Sequence, residues 1–465
     1  MIPAELEAIL KEAQGITADS REVREGYVFF AIRGTRFDGH EFVQEALKRG
    51  ALAVVVERDV EAVQRVIKVE NTRKTLAESA HLFYGRPSES LKVVGVTGTN
   101  GKTTTTYILE SILKKSGSHA GLMGTIQYRL GDKVFGSGRT TPDPITWHRT
   151  LREMVGSGAT HVVAEVSSHA LDQYRVWGTE FEAVIFTNLT QDHLDYHRDM
   201  EDYFRAKARL FFDYKYRFAV VNTDDPYGKR LARDLGDRAL TYGREGETLR
   251  IEDFKTGFDG SELRVSFKGK SFRFHSNLIG DFQAYNLSAA LCYTLEVGID
   301  PNAIQEALKD VHVPGRFEVH RSDRGFIAVV DYAHTPDAMD NVLRTMRRLT
   351  KNRVICVFGA GGNRDRGKRP LMGKSAEKWS DVVIITSDNP RDEEPERIIE
   401  DILKGVEDKG KVKVIPDRRE AIAEALNIAK EGDIVAILGK GHEDYQEIKG
   451  VKYPFSDSEV LKKFL

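Results

Sequence analysis

The sequence has little cysteine, no long apolar run and no excess of charge of one sign. Its two cysteines, Cys292 and Cys356, lie inside apolar stretches, which predicts buried free thiols and favours a reducing, cytoplasmic location. No apolar stretch approaches the roughly 18 residues of a membrane-spanning helix, and the acidic start of the chain lacks the order of a signal peptide. The 69 basic and 71 acidic side chains nearly cancel, so we expect neither nucleic acid nor a membrane as a partner.

The chain divides into three blocks. At 465 residues it is too long for one ordinary core, and its length predicts about three domains. We place them at residues 1–90, 91–313 and 314–465. The turn-rich segment 85–88 closes the first block, and the segment 313–315 marks the start of the third.

Apolar runs typical of buried strands alternate with helical segments. In the second block this alternation predicts a parallel sheet covered on both faces, and in the third block it predicts a second α/β domain. The main runs are residues 27–32, 52–57, 91–96, 161–166, 183–187, 327–330, 354–358, 382–386 and 434–438. One stretch differs, because residues 249–274 alternate apolar and polar side chains with glycines at the turns, and this predicts an antiparallel excursion. A helix containing residues 285–297 follows it. The predicted fold class is therefore α/β.

The strongest chemical signal is the segment 93–104, VVGVTGTNGKTT. An apolar strand breaks into a glycine-bearing loop and enters a helix predicted over residues 102–113. Glycines let backbone N–H groups surround phosphate oxygens, and the helix N-terminus adds a favourable dipole. Lys102 supplies charge for the terminal phosphates, and the hydroxyl of Thr103 can reach Mg²⁺. Val96 stands where the usual pattern has glycine, so this is a variant phosphate loop.

The sequence resembles those of the Mur ligases. Residues 97–104, TGTNGKTT, match the ATP signature of that family, whose asparagine and run of threonines most phosphate-loop proteins lack. Further matches are 165–169 (EVSSH), 187–195 (TNLTQDHLD) and 331–336 (DYAHTP). The resemblance covers essentially the whole chain and is closest to the members that add the third peptide residue.

The resemblance implies an N-terminal α/β domain for a uridine nucleotide, a central ATPase-type parallel sheet, and a C-terminal Rossmann-like domain for the incoming amino acid. It also implies a monomeric, ATP-dependent ligase of peptidoglycan synthesis with Mg²⁺ as cofactor. Its substrates would be UDP-N-acetylmuramoyl-L-alanyl-D-glutamate, meso-2,6-diaminopimelate and ATP. In that reaction ATP activates a carboxylate as an acyl phosphate, which the incoming amine attacks. Such an enzyme must neutralise phosphate charge, align two anionic substrates and exclude water.

The nucleotide residues implied by the resemblance combine the loop with positions far along the chain. Arg316 would reach phosphate and Asp331 the ribose hydroxyls, although without the family they are equally well a surface arginine and an ordinary strand-end aspartate. The full ATP-binding set is Gly98, Thr99, Asn100, Gly101, Lys102, Thr103, Thr104, Asn286, Arg316, Asp331 and His334.

The predicted metal ligands are Thr103, Glu165, His193 and Lys207, and the last three join Lys102 as predicted catalytic residues. Glu165 ends an apolar strand, where a carboxylate can hold Mg²⁺, but it could also cap a helix. His193 alone would be read as a structural hydrogen bonder. Lys207 lies in an amphipathic helix, where the pattern alone predicts a solvated lysine. The family carboxylates the lysine at this place, which converts a cation into a metal-binding anion.

Hydroxyl, amide and guanidinium groups match the family's contacts to the muramoyl dipeptide and its nucleotide, a ligand that carries carboxylate and pyrophosphate. The predicted residues are Ser20, Thr35, Arg36, Phe37, Thr140, Thr141, Ser167, Gln173 and Arg175. Taken alone, the segment 140–143 (TTPD) is a turn.

The choice of amino acid depends on the segment 387–391, SDNPR, which follows an apolar strand at the sheet edge where ligands bind. Diaminopimelate carries a second carboxylate that lysine lacks, so its pocket needs a cation, and Arg391 offers a bidentate fork. An unpaired buried charge is costly, which makes discrimination possible. The implied residues are Arg364, Asp388, Asn389, Pro390, Arg391, Gly439 and Glu443, the last two holding the distal amino group.

Alternative functions stay open on the sequence. Some relatives with a similar loop accept L-lysine, and other amide ligases, such as a folate polyglutamate synthetase or a D-glutamate-adding enzyme, share the fold. A phosphate-loop switch would hydrolyse nucleotide without any amino acid. The retention of Lys102, Glu165 and His193 disfavours an inactive scaffold, and the segment 388–391 disfavours the other ligases.

Overall fold

The computed structural model describes residues 2–34, 37–61 and 65–465. The helices are α1 (Ala4–Glu12), α2 (Val43–Lys48), α3 (Thr72–Phe83), α4 (Lys102–Lys115), α5 (Pro144–Gly156), α6 (Ser168–Asp172), α7 (Met200–Phe212), α8 (Pro226–Leu235), α9 (Gln283–Glu296), α10 (Pro301–Leu308), α11 (Pro336–Leu349), α12 (Lys368–Trp379), α13 (Pro395–Leu403), α14 (Arg418–Ile428) and α15 (Asp457–Lys462). Short 3₁₀ helices occupy Ser20–Glu22, Gly39–Phe42, Pro87–Ser90, Gly236–Arg238 and Lys409–Lys411.

The strands are β1 (Gly15–Thr17), β2 (Tyr27–Phe30), β3 (Ala53–Val56), β4 (Val66–Lys68), β5 (Lys92–Thr97), β6 (Ala120–Met123), β7 (Tyr128–Leu130), β8 (Lys133–Gly136), β9 (His161–Glu165), β10 (Phe181–Phe186), β11 (Tyr216–Asn222), β12 (Ala239–Gly243), β13 (Leu249–Gly257), β14 (Gly260–Phe267), β15 (Lys270–Ser276), β16 (Glu318–Arg321), β17 (Ile327–Asp331), β18 (Val354–Phe358), β19 (Val382–Ile385), β20 (Val412–Val414), β21 (Ile434–Leu438), β22 (Tyr445–Ile448) and β23 (Val451–Pro454).

The chain folds into two compact units. Unit 1 comprises Met1–Thr97, Ser116–Phe186 and Arg205–Ala219, and unit 2 comprises Gly98–Lys115, Thr187–Phe204 and Val220–Leu465.

The first sheet of unit 1 is parallel, with strand order β1-β2-β3-β4. Alternate side chains of β2 point to opposite faces, as the period of a strand requires. Val28 and Phe30 pack with residues of α1 and α3, whereas Phe29 packs with Val43 and Ala46 of α2. The sheet is thus covered on both faces.

The second group of strands in unit 1 brings two predicted functional segments side by side. Strands β10, β5, β9 and β6 lie in that order and run parallel, and the hairpin β7–β8 continues the sheet in antiparallel fashion. Val96 of β5 lies opposite Glu165 of β9. Glu165 therefore stands at the carboxyl edge of the sheet, beside the strand that leads to the glycine-bearing loop.

Unit 2 contains the predicted antiparallel excursion. Strands β13, β14 and β15 form a meander, with an irregularity between Ile251 and Asp253, and β12 pairs with β13 in parallel. The helix that follows, α9, begins two residues before the predicted segment 285–297 and ends one residue before its end.

The C-terminal sheet of unit 2 places four loops at one edge. Its strand order is β16-β17-β21-β18-β19-β20, parallel except for β16. Leu438 at the end of β21 lies opposite both Asp331 and Phe358. The loops after β17, β18, β19 and β21 consequently open at the same carboxyl edge, where ligands bind in sheets of this kind.

The α/β prediction is confirmed in both units, and the strand runs are recovered to within a few residues. Cys292 and Cys356 are buried and free. Within the described ranges, no helix has the length and apolarity that crossing a bilayer demands.

Candidate functional site

The glycine loop enters α4 through two backbone conformations that favour glycine. Gly98 has φ +146° and Gly101 has φ +87°. A Cβ at Gly98 would collide with the hydroxyl of Thr187, and one at Gly101 would collide with the side-chain oxygen of Asn286. The loop therefore depends on both glycines, and the structure brings the predicted Asn286 directly beside it.

Asn100 fixes the centre of this loop from two sides. Its backbone N–H donates to the Asn188 side chain at 2.9 Å, and its side-chain amide donates to Asp337 at 2.9 Å. Lys102 Nζ donates to the carbonyls of Gly98 and Thr99 at 2.9 and 2.8 Å. The ammonium thus lies over the loop at the N-terminus of a helix, an arrangement suited to phosphate.

Arg316 reaches the first turn of α4 in unit 2. Its NH2 donates to Thr103 Oγ1 at 3.1 Å, and its guanidinium lies 4.3 Å from the Tyr332 ring centroid. Asp331 is buried and accepts backbone N–H bonds from Phe317 and Ala333, both at 2.7 Å. Burial raises the pKa of Asp331, an effect that Arg316 opposes. Asp331 thus holds the backbone directly after Arg316 and directly after Tyr332.

Asp192 gathers three potential cations beside the predicted ligand His193. His193 Nε2 lies 3.5 Å from the carboxylate, Lys368 Nζ 3.3 Å and His334 Nε2 3.9 Å. Burial alone would raise the pKa of Asp192, but His193, Lys368 and His334 outweigh it and hold that pKa well below its usual range. Asp192 is therefore an ionised carboxylate. His193 has φ +56°, and its imidazole lies close to that negative charge.

Glu165 is a buried hydrogen-bond acceptor in unit 1. Its side chain is 1% exposed, and its two oxygens accept from the backbone N–H and the hydroxyl of Thr125 at 2.9 and 3.0 Å. Thr140 and Thr125 share a hydroxyl bond of 3.0 Å, and Thr141 donates to the Glu165 carbonyl at 2.8 Å. The predicted segment 140–141 is thereby joined to the predicted metal ligand.

The remaining dipeptide-binding candidates of the central stretch adjoin that cluster. Arg175 donates to the Thr141 carbonyl at 2.9 Å and to Gln173 Oε1 at 2.9 and 3.2 Å. Ser167 caps α6, since its hydroxyl accepts from the Ala170 N–H. Thr141, Gln173 and Arg175 therefore form one connected polar group.

Lys207 departs from the sequence pattern. The amphipathic pattern of α7 predicts a solvated lysine, but its side chain is 1% exposed and among the largest fully buried ones. The prediction of a solvated lysine was wrong, because the pattern records only the spacing of apolar residues and not how deeply the helix is covered. No group of three or more His, Cys, Asp or Glu side chains that could hold a metal occurs among the described residues.

The N-terminal candidates are only partly described. Ser20 is buried and begins a 3₁₀ helix capped by Asp19, whereas Phe37 is 71% exposed. Thr35 and Arg36 lie outside the described residues.

The predicted amino-acid pocket is assembled at the carboxyl edge of the C-terminal sheet. Asn389 is 2% exposed and links its members: its side-chain amide donates to Glu443 at 2.8 Å, and its side-chain oxygen accepts from Lys440 Nζ at 3.0 Å. Lys440 also donates to Glu443 Oε2 at 3.1 Å. Gly439 packs against Asp388, because a Cβ at Gly439 would lie 2.5 Å from Asp388 Oδ2.

Charge in this pocket is balanced by neighbours. Burial alone would raise the pKa of Asp388, but Lys440 and Arg418 hold it below its ordinary value. Burial, and then the charge of Asp388, raise the pKa of Glu443. Asp388 is thus the carboxylate that stays ionised. Glu443 is the residue whose ionised form a positively charged ligand would stabilise most.

The two predicted arginines converge on Gly361. A Cβ at Gly361 would lie 2.9 Å from Arg391 NH1 and 3.6 Å from Arg364 Cγ. Arg391 is anchored by bonds to Glu447 and Gly362, whereas Arg364 is exposed and donates to the Asn363 carbonyl. Arg391 is therefore the ordered cation of the pair. Pro390 borders the same loop, and its carbonyl would meet a Cβ at Gly362.

Sequence reasoning missed several members of these groups, namely Thr125, Asp192, Lys368, Lys440 and Glu447. Asp192 lies in the quoted segment 187–195 and Lys440 directly follows the predicted Gly439, so proximity to these positions could have identified both. Thr125 and Glu447 lie in no such motif, and only the fold brings them in.

Three family profiles match the chain: Mur ligase middle domain over residues 96–294, Mur ligase, glutamate ligase domain over 315–441, and Mur ligase family, catalytic domain over 12–84. The chain is similar to the UDP-N-acetylmuramoyl-L-alanyl-D-glutamate--2,6-diaminopimelate ligase of Aquifex aeolicus (strain VF5), with 64% identity over 99% of this chain and 95% of that protein. A ligase of the same name from Geobacter metallireducens is 44% identical over 97% and 93%. A solved structure of a ligase so named is 36% identical, with a TM-score of 0.70 and coverage of 97% and 94%.

Proposed function

The chain belongs to the Mur ligase family, and from this premise we propose that it joins meso-2,6-diaminopimelate to UDP-N-acetylmuramoyl-L-alanyl-D-glutamate in peptidoglycan precursor synthesis. It is an ATP-dependent ligase that forms an amide bond. Identity of 64% along nearly the whole chain to a ligase of that specificity supports the assignment.

One feature of the amino-acid pocket carries the choice of diaminopimelate. Glu443 accepts a hydrogen bond from Asn389 and pairs with Lys440, and Arg391 pairs with Glu447. Diaminopimelate presents a carboxylate and an ammonium at its distal end, which such a pair would recognise. L-lysine would satisfy Glu443 and leave the guanidinium of Arg391 without its ligand.

The glycine loop suits the ATP phosphates. Lys102 would balance charge on the terminal phosphates, and Arg316, already bonded to Thr103, would add a second cation there. The γ-phosphoryl group of ATP would then pass to the carboxylate of the dipeptide, with release of ADP. The amine of diaminopimelate would attack the resulting acyl phosphate and displace inorganic phosphate, with loss of a proton. We propose the other nucleotide-binding and dipeptide-binding residues as they were predicted from the sequence.

Mg²⁺ fits the donors that the family implies. A carboxylate such as Glu165 and a hydroxyl such as Thr103 are oxygen ligands of the kind that Mg²⁺ prefers, and the bound ion would neutralise phosphate charge. The side chain of Lys207 is buried, and its carboxylation would supply another hard oxygen ligand. His193 is proposed as a further ligand.

We also propose the division into a uridine-nucleotide domain (1–90), an ATP-binding domain (91–313) and an amino-acid-binding domain (314–465). The matched stretches 12–84, 96–294 and 315–441 support it. A cytoplasmic location, supported by two buried free cysteines, and a monomeric state remain part of the proposal.

The test is an ADP-release assay with purified protein, ATP, Mg²⁺ and the UDP-muramoyl dipeptide, comparing meso-diaminopimelate, L-lysine and no amino acid. We expect turnover with diaminopimelate, much weaker turnover with lysine and little without either. Preference for lysine would reassign the substrate. Equal hydrolysis without an amino acid would point instead to a nucleotide switch.

A further inference from the structure

The backbone of Arg391 is hydrogen-bonded to the hairpin β22–β23. Its backbone N–H donates to the Glu447 carbonyl at 3.0 Å, and its carbonyl accepts from the Lys449 N–H at 2.7 Å. Arg391 has φ +54°, a left-handed conformation that costs free energy for any residue other than glycine. These two bonds hold the backbone in that conformation.

The side chain of Glu447 adds a third restraint. Arg391 Nε donates to Glu447 Oε2 at 3.2 Å, and Arg391 NH1 donates to the Gly362 carbonyl at 2.9 Å. Glu447 is itself tied to the pocket, because its backbone N–H donates to Asn389 Oδ1 at 2.9 Å. The guanidinium is therefore fixed at two of its three nitrogens.

A carboxylate beside an arginine can either orient the arginine or compete with its ligand. The side chain of Glu447 is hydrogen-bonded to the guanidinium of Arg391 through Nε, and within the described residues NH2 donates no hydrogen bond. A ligand carboxylate can thus still bind through the outer nitrogens of the guanidinium. Orientation is the stronger effect, because a side chain ordered beforehand loses less entropy when its ligand binds.

We propose that Glu447 is a positioning and specificity-determining residue for the distal carboxylate of the amino-acid substrate, acting through Arg391. This inference rests on the proposed function, in which that carboxylate belongs to diaminopimelate. Loss of one side-chain restraint predicts a roughly three- to tenfold rise in the KM for diaminopimelate in Glu447→Ala, with kcat nearly unchanged. Glu447→Gln retains an acceptor oxygen and should keep most of the affinity.

The experiment measures ADP release by wild type, Glu447→Ala and Glu447→Gln, varying diaminopimelate, ATP and the UDP-muramoyl dipeptide in turn. Glu396→Ala, which removes an exposed glutamate in the first turn of α13, is the matched control. A rise confined to the KM for diaminopimelate, largely rescued by glutamine, supports the inference. An unchanged or lower KM, or an equal change in the KM of all three substrates, overturns it.

The wild-type measurement distinguishes failure of the proposed function from failure of the proposed role of Glu447. If wild type does not respond to diaminopimelate, the proposed function fails and the role of Glu447 fails with it. If wild type responds and Glu447→Ala behaves like Glu396→Ala, only the role of Glu447 is lost.

Discussion

The glycine loop and the amino-acid pocket of unit 2 hold their functional groups by different means. In the loop, Gly98 and Gly101 adopt backbone conformations that place Lys102 at the start of α4, and main-chain groups make much of the site. In the pocket, Asn389 and Arg391 are held by side chains from segments about fifty residues away in sequence. A site formed by main-chain groups tolerates little change of backbone conformation. In a site formed by charged side chains, ligand affinity depends on the loss of single charges and on pH.

Removal of the charge at the loop should have the largest effect. Lys102→Ala is expected to lower turnover by roughly 10³-fold with any amino acid, because the terminal phosphates lose a preorganised cation. ADP release at saturating substrates measures this. Lys115→Ala, in the exposed last turn of the same helix, should leave turnover unchanged. Turnover by Lys102→Ala near the wild-type rate would remove the phosphate role from this loop.

Removal of the charge at the pocket should be selective instead. Arg391→Ala is expected to lower kcat/KM for diaminopimelate by roughly 10²-fold or more, because the distal carboxylate loses its partner on leaving water. Arg391→Lys should recover only part, since a point charge lacks the bidentate fork. Steady-state kinetics should show the KM for ATP unchanged, as in the exposed control Arg397→Ala. An equal loss of affinity for ATP and for diaminopimelate would contradict a separate role for the pocket.

The smallest expected effect is the pH dependence of the pocket. Burial and Asp388 raise the pKa of Glu443 above its ordinary value of 4.5. A distal ammonium binds the carboxylate form, so affinity for diaminopimelate should rise by a few fold as pH increases through the pKa of Glu443, then level off. Below that pKa, binding should be accompanied by release of a proton from Glu443 to the buffer.

Calorimetric titration of diaminopimelate at several pH values, in buffers of different ionisation enthalpy, measures both quantities. Glu443→Gln should flatten the profile. The pH dependence of ATP binding should not follow it, because Asp388 and Glu443 lie in the pocket and not at the loop. A flat wild-type profile would contradict the assignment of Glu443 to the distal amino group.

The sequence predicted most where function is local in the chain. Strand, loop, Lys102 and helix are contiguous, so their order alone indicated a phosphate site, and Asp388–Arg391 was found because it follows an apolar strand. The prediction of family and function is confirmed. The roles of individual site residues remain predictions.

What only the tertiary structure decided depends on distance along the chain. The burial of Lys207 was not visible because a helical period does not record how deeply a helix is covered. Thr125 beside Glu165, and Glu447 beside Arg391, have no local signature and become neighbours only when strands and loops meet at a sheet edge. The sequence by itself determined which chemical groups are present and in what order, whereas folding determined which of them touch, because hydrogen bonds and ion pairs depend on separations in space.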